Sequence, residues 1–432
     1  MSVDLQAKID GAPFSPLQFG VAIACFFIAF VDGLDFQIIG FTAPLIAADL
    51  GIPHRELGWI FSAGLTGLTL GSFVFSPLGD YVGRRTILSA SLILFGLLVF
   101  ATPIADSTWS LIVIRFFTGI GIGGAMPNAV ALMAEYSPQR HRGLAITITY
   151  IGFSVGAGAG GIVAAALIGS FGWQMVFFIS GLVPVLYGLG IYLFLPESPH
   201  FLASRGASES ARIAKLLDRI AVGIRHDPKA VYELPERSVK TGAASLFRDG
   251  RARNTLLLWS ALFLNLLGVF ALINWGPTLI NRAGTDIGQA IEIIVWFWVG
   301  GIAGGLALVW LSRRFGPRRM LAFYLLAGSV CVGAIGLQGA DGLYIFAMVT
   351  LAGAMSAGAQ VGFYPVLADI YPAPIRVTGI GWAQGLGRMG SIAGPLTIGA
   401  LVAIEWPFAG YFLLLGLPIL LSGIVVLLLD YR

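Results

Sequence analysis

Charge is what this chain has least of. Only 11% of its 432 residues are Asp, Glu, Lys or Arg, against roughly 25% in soluble domains. A globular surface of this size cannot stay hydrated with so few ionic groups, so the soluble classes are excluded. Disorder is excluded too, because it needs low hydrophobicity, and here 57% of residues are hydrophobic with a mean hydropathy of +0.86. Cysteine is equally scarce. Cys25 and Cys331 lie far apart in apolar stretches and offer neither a disulfide framework nor a metal knuckle. The four histidines, His54, His141, His200 and His226, fall in polar connections without ligand-spaced partners, so no metal and no cofactor is expected. No cleavable signal is evident, since the first apolar run continues into a long span. What the chain does have is glycine, 58 residues of it, and apolar runs. It reads as an all-α, polytopic membrane protein.

A membrane-crossing helix needs about 20 apolar residues. Twelve such runs are expected, at 19–48, 57–78, 86–105, 109–134, 143–169, 173–195, 255–280, 287–311, 320–338, 343–368, 378–403 and 408–429. Between the sixth and seventh lies the one sizeable polar stretch, with an amphipathic piece from Ser208 to Val222. The expected division is thus an N-terminal six-helix half (1–195), a central loop (196–254) and a C-terminal six-helix half (255–432). Short connections retain Lys and Arg on the cytoplasmic side. Placing the amino terminus and every second connection inside puts 22 of the 26 cations there, including eleven in the central loop, and leaves only Arg55 and Arg282 outside. Both termini are therefore expected in the cytoplasm. Arg115 and Arg388 stay within spans.

The two halves match at an offset of 233–234 residues. Glu135, Pro138 and Arg142 correspond to Asp369, Pro372 and Arg376, and Gly119, Gly124, Gly156 and Gly160 to Gly353, Gly358, Gly390 and Gly394. Gly83 and Arg85 correspond to Gly316 and Arg318, while Asp80 is replaced by Arg313. Repeated six-span halves are a transporter architecture, with the substrate held between them near the bilayer midplane.

Asp32 and Asp35 lie inside an otherwise apolar span, three apart and so on one helix face. A carboxylate at the bilayer centre costs about 2.5–3.5 kcal/mol on insertion scales, so it faces a cavity or a partner. Two carboxylates in low dielectric cannot both stay ionised cheaply, which suits such a pair to taking a proton on one side and releasing it on the other. Which of the two carries it is not legible, because an interacting pair titrates as a unit. The competing reading is structural, with arginine partners. Arg115 and Arg388 present planar forks that match a carboxylate. Arg115 is assigned to coupling and Arg388 to substrate, with helix bridging as the alternative for each. Asn265, which aligns with Asp32, confines the acid chemistry to the first half. Trp275, Trp296, Trp298, Tyr364 and Trp382 are candidate aromatic platforms, Trp275 and Tyr364 foremost because they sit near Asn274, Gln360 and Pro365, with a lipid-facing or core ring as the alternative. Gln360 and Gln384 are candidate readers of substrate hydroxyls, with interhelical hydrogen bonding as the alternative. Gly119-x-Gly121-x-x-Gly124 satisfies the dinucleotide pattern but sits inside a membrane helix, where small residues serve close packing.

Three segments resemble the major facilitator superfamily: Ser76-Pro-Leu-Gly-Asp80-Tyr-Val-Gly83-Arg84-Arg85, Arg115-Phe-Phe-Thr-Gly119-Ile-Gly121-Ile-Gly123-Gly124, and Pro196-Glu197-Ser198-Pro199. Asp32-Gly33-Leu34-Asp35 is similar to the signature of that superfamily's aromatic acid:proton symporters, as are Met126-Pro127-Asn128, Ile273-Asn274-Trp275 and Gly387-Arg388-Met389-Gly390. The resemblance implies the facilitator fold of two pseudo-symmetric six-helix halves, in a bacterial cytoplasmic membrane. It adds Asn128 to the substrate residues. It implies a gating latch of Asp80, Gly83, Arg84 and Arg85 with the end of span 11, and intracellular clamps from Glu135, Arg142, Asp369 and Arg376. Its members import benzoates, hydroxybenzoates and phenylpropionates with protons. A monomeric proton-coupled importer of a small aromatic carboxylate is therefore expected. The alternative is a facilitator-type carrier of sugars, dicarboxylates or exported drugs. An enzyme is not expected, because the spans hold no metal set or activated serine and the central loop is too short for a catalytic domain.

Overall fold

A backbone crossing hydrocarbon must satisfy its own N–H and C=O groups, and helices do so within one segment. The computed structural model describes residues 2–221, 225–233, 243–337 and 342–430, apart from the side chains of Ser2, Ala373, Pro374 and Val377. Among the described residues, eleven helical stretches are long and apolar enough to cross a membrane. A short α1 (Leu5–Asp10) precedes α2 (Pro16–Asp49), α3 (Leu57–Val82), α4 (Arg84–Phe100), α5 (Thr108–Gly123), α6 (Ala125–Tyr136) and α7 (Gln139–Phe194). Two short helices, α8 (Pro199–Ser204) and α9 (Ser210–Ile220), lead to α10 (Ala252–Arg282), α11 (Ile287–Phe315), α12 (Pro317–Ile335), α13 (Gly342–Ala352), α14 (Ala359–Ile370), α15 (Ala373–Ala403) and α16 (Phe408–Leu427). Helices α5 and α6 form one stretch, as do α13 and α14, joined by a π turn at Gly353–Ala357.

Helix α7 runs for 56 residues, about 84 Å at 1.5 Å per residue, more than twice the hydrocarbon thickness. Its backbone leaves the helical region at Gly172, with φ 76° and ψ 172°, a conformation essentially restricted to glycine. The break falls between the fifth and sixth expected spans. Ser15 opens α2 with a reciprocal cap: its hydroxyl accepts from the Gln18 N–H, while the Gln18 side chain accepts from the Ser15 N–H.

Packing repeats along the chain. A Cβ at Gly156 of α7 would collide with the Phe30 carbonyl of α2, and one at Gly390 of α15 with the Phe263 carbonyl of α10. Gly67 of α3 meets the Phe116 carbonyl of α5, and Gly300 of α11 meets the Thr350 carbonyl of α13. All four contacts recur at the 233–234 offset of the sequence repeat, because small residues at these positions let helix backbones touch.

Two departures from the all-α expectation lie outside the spans. Strand β1 (Ser2–Asp4) pairs in parallel with β2 (Val231–Glu233), Val3 opposite Tyr232; three-residue strands carry too little pattern to be read from sequence. The amphipathic piece is helical over Ser210–Ile220, and its expected end, Val222, lies outside the described residues. So do residue 338 of the ninth expected span and Arg237, Lys240 and Arg432 of the charge count.

Candidate functional site

Asp32 and Asp35 sit one turn apart on α2, 6% and 5% exposed, but their surroundings differ. The Arg115 guanidinium, from α5, donates to both oxygens of Asp35, Nη2 to Oδ2 at 3.1 Å and Nη1 to Oδ1 at 3.3 Å. Asp32 accepts no hydrogen bond and forms no ion pair among the described residues. It borders, with Asp35, Phe36, Phe61, Arg115 and Asn274, a cavity of about 30 Å³, room for a water-sized solute and too small for an aromatic ring.

A second arginine acts on Asp32 from α15. Arg388 lies within electrostatic reach of Asp32, Tyr150 and Tyr364 without contacting the carboxylate. Its Nη1 is buried with no partner among the described residues, and so is the Gln360 Nε2. Gln360 and Tyr364 are four apart on α14 and share a face. The Tyr364 ring lies 6.5 Å from that of Tyr150 on α7. Unsatisfied buried donors cost about 1–3 kcal/mol each, so the arrangement is complementary to an anionic acceptor. Aromatic rings pack about Phe36, which borders the cavity: Phe36 lies 5.7 Å from Phe153 and 5.2 Å from Phe270, and Phe153 lies 5.9 Å from Trp298.

Beyond this lining, the α2–α7 and α10–α15 helices meet. Gln37 donates to the Ile273 carbonyl at 3.1 Å and accepts from the Trp298 indole at 3.1 Å, tying α2 to α10 and α11. The Ser62 hydroxyl donates to the Ile392 carbonyl at 2.8 Å, joining α3 to α15. All these contacts lie towards the ends carrying Asp49 and Arg282.

Several expected site residues sit elsewhere. Asn128 is wholly buried, donates to the Phe75 and Gly124 carbonyls and accepts from Arg84; its amide is consumed there, so the structure does not bring it to the substrate residues. Trp275 is fully buried, its N–H held by the Pro395 carbonyl at 2.9 Å and its ring edge-on to Phe61. It packs the closed end and offers no open face for stacking. Trp382 stacks on Trp259 at 6.1 Å, about 9 Å along α15 from Arg388 at 1.5 Å per residue. Asn274 does border the cavity, donating to the Phe270 carbonyl, and Gln384 shares the Arg388 face of α15 one turn earlier. Tyr150, Gln37 and the Phe36–Phe153–Phe270 group escaped the sequence reading; a lone Tyr and Gln within apolar helices were the available signals.

The gating residues cluster at the opposite end. Arg84 donates to Glu135 at 2.6 Å, Asp80 at 2.9 Å and Asn128 at 3.2 Å. Glu135 also accepts from the Ser198 hydroxyl. Glu197, beside it, accepts from the N–H groups of Arg85 and Ser198 at 3.0 and 2.9 Å. Gly83 has φ 106°, and a Cβ there would run into the Glu197 carboxylate. Arg142 donates to the Ser137 carbonyl and Arg376 to the Tyr371 carbonyl, the same contact at both repeat positions; Asp369 is exposed near the end of α14. The span-11 end expected to complete the latch begins at Ala373, whose side chain lies outside the described ones.

A family model, Major Facilitator Superfamily, matches residues 25–349 and 284–432. The chain belongs to this superfamily. It groups there with the 4-hydroxybenzoate transporter PcaK of Pseudomonas aeruginosa, 36% identical over 99% of this chain and 95% of that protein, and with a gallate transporter of Pseudomonas putida, 35% identical over 98% and 94%. The inward-open structure of the xylose transporter XylE from E. coli shares the fold, with a TM-score of 0.73 over 96% of each chain at 15% identity. The protein is thus a multi-pass membrane transporter of the facilitator type.

Proposed function

We propose that the chain imports a small aromatic carboxylate together with a proton, acting as a monomer in a bacterial cytoplasmic membrane. Twelve crossings, the two arms of α7 on either side of Gly172 counting as two, put both termini in the cytoplasm. Halves 1–195 and 255–432 rock about the substrate, with 196–254 as the cytoplasmic connection. The relatives' aromatic acid cargoes support the substrate class, and the 22-to-2 split of connecting cations supports the orientation.

The observation that carries the coupling is Asp32, buried in mid-helix with no hydrogen bond or ion pair, facing a cation that is itself incompletely satisfied. Asp35, neutralised by Arg115, is the fixed member of the pair. Asp32 is the exchangeable one, loaded with a proton from outside. The substrate carboxylate takes the unpaired Nη1 of Arg388 and the Gln360 amide, while its ring lies among Phe36, Phe153, Tyr150 and Tyr364, at about 0.5–1.5 kcal/mol per ring pair beyond burial. Binding of the anion removes the attraction of Arg388 for the Asp32 carboxylate, so proton and substrate favour each other. Gln37 and Ser62 close the outer side once both are aboard. The Arg84–Glu135 cluster gates the inner side. One proton with one monoanion moves no net charge, so the pH gradient drives uptake.

Uptake of labelled 4-hydroxybenzoate into proteoliposomes with an imposed acid-outside gradient tests this. Accumulation above equilibrium is expected and vanishes with a protonophore. Accumulation that survives the protonophore removes the coupling.

A further inference from the structure

Outside the transport path, an apolar groove of about 720 Å³ runs along the membrane face between α2 and the last turns of α7. Leu17, Val21, Tyr187 and Ile191 form its walls. Gly20 and Gly190 form its floor, and nothing lies within 4 Å of where a Cβ would stand at either position. Pro196 and Arg219 close one end of the groove and also line a second cavity of about 500 Å³. That cavity is cationic, with Arg85, Arg205, Arg212, Lys215 and Arg219 on its walls.

Its two carboxylates are already engaged. Glu197 accepts from two backbone N–H groups, and Glu209 pairs with Arg212 at 3.1 Å. Lys215 and Arg219 have neither an ion pair nor a hydrogen bond among the described residues. The Arg85 Nε is buried and unpartnered. Helix α9 makes this arrangement: Arg212, Lys215 and Arg219 are exposed on one face, while Ile213, Leu216, Leu217 and Ile220 are buried on the other.

An apolar groove of this volume that ends on cations without ion pairs among the described residues matches one ligand chemistry. We infer that the α2–α7 groove and the basic face of α9 together bind one anionic phospholipid, its chains in the groove and its phosphodiester at Lys215 and Arg219. Basic pockets beside membrane helices hold such headgroups by charge. A zwitterionic lipid would bring an ammonium against the same cations, and a free phosphate would leave the groove empty. The site lies apart from the proposed substrate residues. It rests on the proposed orientation only for which leaflet supplies the lipid.

The test reads lipid retention, so failure of the transport reading leaves it intact. The full chain is released from nanodiscs of mixed phosphatidylglycerol and phosphatidylethanolamine and weighed by native mass spectrometry. One retained phosphatidylglycerol per chain is expected. Lys215→Gln with Arg219→Gln should lower its retention by about tenfold or more, and Gly190→Trp should abolish it by filling the floor. Arg313→Gln with Arg314→Gln, which removes a distant pair of cations, should leave it unchanged. Gly20→Leu fills the same floor from α2 if the tryptophan variant is not monodisperse. Equal retention of the two lipids overturns the inference, as does retention indifferent to Lys215 and Arg219 or to both floor variants. Complete displacement by inorganic phosphate would make this a phosphate pocket and also overturn it.

Discussion

Arg115 grips both oxygens of Asp35, at 3.1 and 3.3 Å, and leaves Asp32, one turn earlier on the same helix, without a hydrogen bond or ion pair among the described residues. Two acids that look equivalent in sequence therefore stand in different surroundings. Removing one partner of a buried pair strands the other charge and costs about 3–5 kcal/mol, whereas an unpartnered acid can be neutralised without stranding anything. Asp32→Asn is expected to keep normal membrane levels and lose accumulation of labelled 4-hydroxybenzoate, retaining only exchange. Asp35→Asn should lower the melting temperature and the membrane level, and Arg115→Gln added to it should restore both. Equal stability of the two single variants would contradict the division of roles.

The Arg388 guanidinium and the Gln360 amide each keep a buried donor unsatisfied. Hydrogen bonds to charged groups contribute about 1.5–3 kcal/mol, so Arg388→Ala should raise the apparent KM roughly 10- to 100-fold. Gln360→Leu should raise it less, and both should fold. Uptake kinetics at fixed external pH measure the effect; unchanged KM in Arg388→Ala would remove the carboxylate clamp.

Gln37 is bonded at once to Ile273 and Trp298, and in the proposed cycle it holds the outer end shut. Losing two hydrogen bonds at about 1 kcal/mol each shifts a two-state equilibrium roughly 5- to 30-fold. Gln37→Leu is expected to favour opening at that end. Spin labels at Pro53→Cys and Ala283→Cys should then show a longer distance population than in the parent. An identical distance distribution would mean that the closure is held elsewhere.

Gly83 and Gly316 occupy matching repeat positions with φ of 106° and 88°. Only at Gly83 does a Cβ meet a neighbour, the Glu197 carboxylate; at Gly316 it meets open space. Each alanine pays the backbone strain of about 1–3 kcal/mol, but Gly83→Ala also displaces Glu197 from the Arg85 and Ser198 N–H groups. Thermal melting should therefore show a larger loss for Gly83→Ala than for Gly316→Ala, with transport impaired in the former alone.

The repeat was legible because helix-to-helix backbone contact demands small residues, and Gly156 and Gly390 preserve that demand as sequence identity. The break at Gly172 was legible as a gap between two apolar runs. The surroundings of Asn128 were not legible, since its position in the fourth span says nothing about which end of that span its amide serves; it bonds to Arg84 and the Phe75 carbonyl. The burial of Trp275 was hidden for a related reason: an indole beside Asn274 looks available until the Pro395 carbonyl and Phe61 are seen against it. Tyr150 stayed hidden because nothing along α7 distinguishes a ring aimed at Tyr364 from one aimed at lipid.

Composition and the spacing of apolar runs determined, without any coordinates, that this chain lives in a bilayer and that it repeats itself. Those properties come from the solvent acting on each segment separately, so a linear string records them. Tertiary structure alone decided which carboxylate is paired with an arginine and which is not. Arg115 lies 80 residues from Asp35, Arg388 belongs to the other half of the chain, and only folding sets the distance of each cation from the two acids.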